Sequence, residues 1–154
     1  MLVFTGTHIH KVDRKGRVSV PAPFRAALAK SGANEIAVFP SYNAKALEGC
    51  GPDIMASLAD NTFANYSFYA AAPNNLATQI FEITRQLEWD AEGRIGLPEE
   101  MMAHAGINEQ AAFVGKGRFF QVWSPEALTA QRSADAAQIA QSPPRLILRR
   151  PEGT

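Results

Sequence analysis

Four cations lie within seven residues of this chain, Lys11, Arg14, Lys15 and Arg17, and the same register 77 positions later carries Glu88, Ala91, Glu92 and Arg94. Lysine ammonium groups are point charges suited to phosphate oxygens, whereas the planar arginine fork can pair a carboxylate or contact guanine through two bonds. A turn bearing Lys11, Arg14 and Lys15 can approach a phosphate backbone. A turn bearing Glu88 and Glu92 in their places would be repelled by it. Other reactive residues form no constellation. His8 and His10 share a face if they lie on a strand and could join a third ligand around a metal, but no Cys, His or acid pair at site spacing accompanies them. Cys50 has no basic sequence neighbour to lower its pKa. Asp90 and Glu92 do not have the spacing of an acid/base pair, and Gly115-Lys116-Gly117 lacks the phosphate-loop pattern. The reading is therefore of a non-enzyme without metal, cofactor or small-molecule substrate.

The two turns belong to a longer repeat. Val12-Asp13-Arg14-Lys15-Gly16-Arg17-Val18-Ser19-Val20-Pro21 returns as Trp89-Asp90-Ala91-Glu92-Gly93-Arg94-Ile95-Gly96-Leu97-Pro98. Asp13/Asp90, Gly16/Gly93 and Arg17/Arg94 are kept in both copies, which suits a shared scaffold in which Asp and Arg brace the hairpin by a turn bond or a local ion pair. Arg17 could serve both scaffold and ligand. The alignment continues, after a three-residue contraction, from Asn34-Glu35-Ile36-Ala37-Val38-Phe39 to Asn108-Glu109-Gln110-Ala111-Ala112-Phe113, and loosely from Cys50-Gly51-Pro52-Asp53 to Trp123-Ser124-Pro125-Glu126. Copies of roughly 45 residues are too small to rely on a core of their own without disulfide or metal staples. Each must lean on its twin.

Composition agrees with one compact unit or two small ones packed together: 154 residues, 46% apolar, a single cysteine. A charged-then-apolar leader and an apolar run of ~18 residues are both missing from the sequence, so a soluble cytoplasmic protein with no membrane partner is expected. The net charge of zero conceals an asymmetry. Residues 1–30 hold six basic groups against Asp13 alone, a local net of +5; residues 31–80 hold Lys45 against four acids, net −3; residues 81–118 hold four basic against seven acidic groups, again −3. Copy one is basic and copy two acidic.

The elements that must position these residues follow from turn and breaker signals. His8 to Val12 reads as a strand, Asp13-Arg14-Lys15-Gly16 as a reversal, and Arg17-Val18-Ser19-Val20 as the returning strand, stopped by Pro21. Pro23 to Lys30 reads as a short helix ended by Ser31-Gly32, then Ile36 to Phe39 as a strand and Pro40 to Asn43 as a loop. Copy two repeats the order: a strand from about Thr84 to Trp89, a turn at Ala91-Glu92-Gly93, a strand from Arg94 to Leu97 and a helix from Pro98 that carries an exposed His104. Ala112 to Val114 and Phe119 to Trp123 form a hairpin about Gly115 to Arg118, with Phe119, Phe120 and Trp123 assigned to the core. Ser124-Pro125-Glu126 starts a helix extending to about Ala140. Asp53 to Ile80 is expected to be helical with a break at Pro73-Asn74-Asn75, and the tail containing Pro143-Pro144 and Arg149-Arg150-Pro151 is expected to be loose.

Asp-x-x-Gly-Arg followed by an aliphatic strand, Pro and a short helix, twice in one chain, resembles the MraZ family, the tandem members of the AbrB-type swapped-hairpin regulators. The resemblance spans roughly residues 4–128, including Phe4-x-Gly6 and Phe120-Gln121-Val122-Trp123, while Gly96 is small for its strand position and residues 53–80 match no motif. It implies a mainly β fold with short helices, in which two AbrB-like repeats form a pseudo-twofold, double-psi-like β-barrel. The corresponding divisions are a basic repeat over 7–54, a helical connector over 55–82, a second repeat over 83–126 and a helix with tail over 127–154. It further implies a nucleoid-associated transcription regulator whose ring of subunits binds short direct repeats of double-stranded DNA upstream of the division and cell-wall gene cluster. The DNA contacts transfer to Arg17 and Lys15, and on charge grounds to Arg14 and Lys11; Asp13, Gly16, Asp90, Gly93 and Arg94 take the structural role. One tip with about four cations binds near the non-specific range of ~10⁻⁴ to 10⁻⁶ M, so useful affinity needs several tips on consecutive sites. An antitoxin-type protein-binding module on the same barrel is the alternative, although the short Pro-rich tail suits it poorly. An enzyme on a double-psi barrel would need a self-processing Gly-Ser site or clustered acids, which are not seen.

Overall fold

The computed structural model describes residues 3–64 and 76–148. Copy one contributes β1 (Thr7–Lys11), β2 (Arg17–Ser19), α1 (Ala22–Lys30), β3 (Glu35–Pro40), β4 (Leu47–Cys50) and α2 (Pro52–Phe63). After α3 (Leu76–Ile83), copy two contributes β5 (Arg85–Glu88), β6 (Arg94–Gly96), α4 (Glu99–Ala105), β7 (Gln110–Lys116), β8 (Phe119–Trp123) and α5 (Pro125–Gln141). Among the described residues the fold is mixed α+β, an antiparallel sheet with five helices. The expected break at Pro73-Asn74-Asn75 and the tail arginines Arg149 and Arg150 lie outside the described residues.

Six strands form one antiparallel sheet in the order β1-β7-β8-β4-β3-β5, and β2 pairs with β6 as a separate ribbon. Replacing each strand by its twin turns that order end for end into itself. The copies therefore exchange partners: β1 of copy one pairs with β7 of copy two, and β5 of copy two with β3 of copy one. Two strand pairs are self-related. Val18 faces its twin Ile95 in the β2–β6 ribbon, and Glu48 faces Gln121 across β4–β8, where Gln121 Nε2 donates to Glu48 Oε1 at 2.9 Å. The sheet is not closed by its ladders, since β1 and β5 are its edges, but the ribbon lies against both of them.

Pairing corrects one feature of the sequence alignment. Lys11 is opposite Gln110, and its twin Glu88 is opposite Glu35, so Gln110 and Glu35 are equivalent and the contraction is two residues, not three. Ile36-Ala37-Val38-Phe39 thus matches Ala111-Ala112-Phe113-Val114, and all eight residues are buried. A one-residue slip would have turned every side chain of one strand to the wrong face.

The core is assembled from both copies. Phe4, Phe24, Phe113 and Phe120 meet edge-on or tilted with centroids 5.0–6.5 Å apart, and Val18, Val20, Ile95 and Leu97 pack in the same cluster. Each such side chain contributes about 1.5–3 kcal/mol by leaving water. The inward faces of α1 and α4 are twins one turn deep, Phe24 and Leu28 in one, Met101 and Ala105 in the other, spaced i and i+4 as an amphipathic helix requires. β4 was not foreseen as a strand. Gly49 within it lies so close to the Phe120 ring that a Cβ would overlap the ring, which fixes how tightly β4 meets β8. Gly96, by contrast, has open space where a Cβ would stand.

Candidate nucleic-acid interface

Both turns are built bond for bond alike. In copy one, Asp13 N–H donates to the Arg17 carbonyl (2.9 Å), Gly16 N–H to the Asp13 carbonyl (3.0 Å), and the Asp13 Oδ1 accepts from the backbone N–H of Lys15 and of Arg17, each at 2.9 Å. In copy two the same bonds join Asp90, Glu92, Gly93 and Arg94 at 2.9–3.0 Å. A carboxylate that accepts two backbone N–H groups closes the loop, and glycine at φ 79° or 81° supplies the left-handed residue the reversal needs. Both aspartates are held below the ordinary carboxylate range, chiefly by the backbone N–H of Arg17 or Arg94; partial desolvation opposes this, and the arginine side chain adds to the lowering.

The side chains diverge. Arg17 Nε donates to Asp13 Oδ2 at 2.7 Å, and the guanidinium makes no other hydrogen bond or ion pair with the described residues. Its outer Nη edge is open, on a side chain 39% exposed. Arg94 also reaches its aspartate, with Nε and Nη2 each 3.2 Å from Asp90 Oδ2, but Nη2 is held in addition by Glu92 Oε2 at 3.3 Å. The residue of copy one that corresponds to Glu92 is Lys15. Replacing a carboxylate by an ammonium there both reverses a charge and removes the second clamp on the arginine.

The structure brings all four predicted contacts to one apex. Lys11 ends β1, Arg14 and Lys15 occupy the turn and Arg17 opens β2; the first three are exposed and form no ion pair with the described residues. Beside the apex runs an open groove of about 1080 Å³, whose lining includes Lys11, Arg14 and Lys15 together with Glu99, Met102 and Glu109.

Sequence reasoning missed what lies behind each turn. Each glycine backs onto the other copy's helix: a Cβ at Gly16 would be 3.4 Å from Met102 Sδ, and one at Gly93 would be 2.5 Å from Arg25 Cζ. Arg25 and Met102 are twins, four residues after Pro21 and Pro98. Arg25 Nε donates to the Val20 carbonyl at 3.0 Å, so its guanidinium fills the space behind the acidic turn. Extending the 77-residue offset past Pro21 pairs Arg25 with Met102, and that was the available signal.

The remaining candidates are accounted for structurally. The His8 ring meets Phe24 edge-on, its Nε2 lying 3.3 Å from the Thr5 carbonyl oxygen. His10 meets Phe113 edge-on, and its pKa is lowered first by burial and then by the nearby His8 and Arg25 charges. Among the described residues no three His, Cys, Asp or Glu side chains are grouped closely enough to hold a metal. Cys50 is buried, and burial, with Asp53 adding, pushes its thiol up to about 12, which leaves it protonated at neutral pH. Phe120 and Trp123 are buried and Phe119 is half-buried. No described helix is long and apolar enough to cross a membrane.

These features define a tandem-repeat α+β protein that displays one basic and one acidic version of a single turn. Comparison with known proteins places it more closely. The family described as "MraZ protein, putative antitoxin-like" matches residues 3–42 and 80–150. The chain is 40% identical over 149 residues to the transcriptional regulator MraZ of Rickettsia peacockii (strain Rustic), covering 97% of this chain and 98% of that protein. It is equally 40% identical to the same regulator of Rickettsia rickettsii (strain Sheila Smith) over 149 residues, with the same coverage. Against that of Xanthobacter autotrophicus (strain ATCC BAA-1158 / Py2) it is 40% identical over 135 residues, 88% of this chain and 85% of that protein. The chain belongs to the MraZ family.

Proposed function

We propose that this protein is a sequence-specific DNA-binding transcription regulator of the cytoplasm and nucleoid, and that the apex of copy one is its DNA contact. The observation that carries this reading is the open cationic edge of Arg17 beside unpaired Lys11, Arg14 and Lys15, on a turn whose twin carries Glu92 against its own arginine. Arg17, locked at Nε, offers two remaining nitrogens to a guanine edge or a phosphate; the lysines and Arg14 neutralise phosphates. Asp13, Gly16, Asp90, Gly93 and Arg94 act as the frame of the two turns.

One apex is a weak ligand, so several must act together. The exposed apolar residues Phe63, Leu76 and Ile83 on α2 and α3 offer surface for a homo-oligomeric ring, whose repeated tips would meet short direct repeats upstream of the division and cell-wall genes. The partner exchange of β1 and β5, with the ribbon against both edges, favours a swapped-hairpin AbrB-like barrel made of repeats at 7–54 and 83–126, linked by 55–82 and followed by 127–154.

The test is a gel-shift titration with DNA from upstream of the protein's own gene. Arg14→Glu combined with Lys15→Glu should abolish the shift while the thermal transition stays in place. Unchanged affinity would refute the assignment of the apex.

A further inference from the structure

We infer that Glu92 is the residue that decides which of the two turns engages nucleic acid: its carboxylate occupies the outer edge of Arg94 where a phosphate would otherwise bind. This rests on the reading of the copy-one apex as the DNA contact. The two turns share their backbone bonds, and in each the arginine Nε donates to the turn aspartate, at 2.7 Å from Arg17 and 3.2 Å from Arg94. At the guanidinium Arg94 uses Nη2 as well as Nε toward its aspartate, and the one contact from a different side chain is Glu92 Oε2 to Arg94 Nη2 at 3.3 Å, which has no counterpart at Lys15.

A carboxylate and a phosphate compete for an arginine edge in the same geometry, since both present paired oxygens to the planar fork. Glu92 is tethered two residues from Arg94, and no external anion is needed to keep the edge filled. The clamp is also easily released, because the Glu92 side chain is 72% exposed and its removal leaves no buried group unpaired. Copy two is thus the same turn frame with its arginine engaged by its own side chain. Its remaining deficits are the charge of Glu88 and the neutral Ala91, against Lys11 and Arg14 in copy one.

The experiment uses the full chain and the same upstream DNA fragment in anisotropy titrations at several salt concentrations. The Arg14→Glu, Lys15→Glu background is first checked for loss of binding; if it still binds as the unmodified protein does, the copy-one assignment fails and not this proposal. In that background, Glu88→Lys, Ala91→Arg and Glu92→Lys together should restore binding, and the slope of log affinity against log salt should steepen by about 0.9 for each phosphate contact regained. Adding Arg94→Ala to that set should remove most of the recovery. A second pair isolates the clamp from bulk charge: in the same background, Glu92→Lys with Ala91→Arg should recover at least about tenfold more affinity than Glu88→Lys with Ala91→Arg, although the net charge is identical. Equal recovery by the two pairs, or no recovery by the triple variant while its thermal transition is intact, overturns the role of Glu92.

Discussion

At the apex of copy one the arginine fork has one nitrogen tied and its outer edge open; at the apex of copy two an additional carboxylate reaches that edge. The backbone below is the same in both. This contrast separates what builds a turn from what a turn does. The aspartate, the glycine and the arginine Nε are held in common and shape the loop, whereas positions 11, 14 and 15, against 88, 91 and 92, vary the chemistry without disturbing it. Repetition of the unit with strand exchange makes this division possible, because each copy is needed to complete the other's sheet whatever its turn carries. The same asymmetry continues behind the turns, where Arg25 backs the acidic loop and Met102 faces the groove beside the basic one.

The sharpest way to break the comparison is to reverse the basic apex. Arg14→Glu with Lys15→Glu changes the local charge by four units and should weaken DNA binding by at least about a hundredfold at moderate salt, read by gel shift, with the circular dichroism melt unchanged. Next in size are the aspartates. Asp13→Ala and Asp90→Ala each remove a carboxylate that accepts two backbone N–H groups, and each should lower the midpoint of a urea titration to a similar extent. Only Asp13→Ala should also weaken DNA binding, since it releases Arg17. Equal effects of the two on binding would erase the distinction between the turns.

Smaller effects probe the frame alone. Gly16→Ala and Gly93→Ala force a side chain into left-handed backbone, at a cost of about 1 kcal/mol each. Gly93→Ala must also displace the Arg25 guanidinium, a movable group, so its excess over Gly16→Ala in the same melt should be slight. Acid should weaken both turns alike. Because the folded-state pKa values of Asp13 and Asp90 are lowered, their contribution is fully present above the ordinary carboxylate value near ~3.9 and is lost as pH falls below it through the folded-state values. Asp13→Asn and Asp90→Asn should therefore each flatten the acid limb of the stability profile.

Local features were legible in the sequence because they are encoded locally. The Asp-x-x-Gly reversals, Pro21 and Pro98 ahead of their helices, and the Ser124 cap, whose hydroxyl accepts from the Ala127 N–H at 3.1 Å, follow from the conformational demands of single residues. The strand Leu47–Cys50 was not, since it is covered on both faces and shows no alternation, and its glycine reads as a breaker until Phe120 is seen against it. The offset between β3 and β7 escaped for a related reason: a run of four buried residues carries no period-two mark to fix its register. The cation cluster at the apex was visible as charge, but the clamp of Glu92 on Arg94 and the Arg25 side chain behind Gly93 depend on where side chains reach in space.

The most direct test of the contrast is backbone hydrogen exchange, followed by mass spectrometry, of the full chain with and without the upstream DNA fragment. Slower exchange on binding in the peptide spanning residues 11–17, with the peptide spanning 88–94 unchanged, is the predicted result. Equal protection of both peptides, or protection of 88–94 alone, would contradict it.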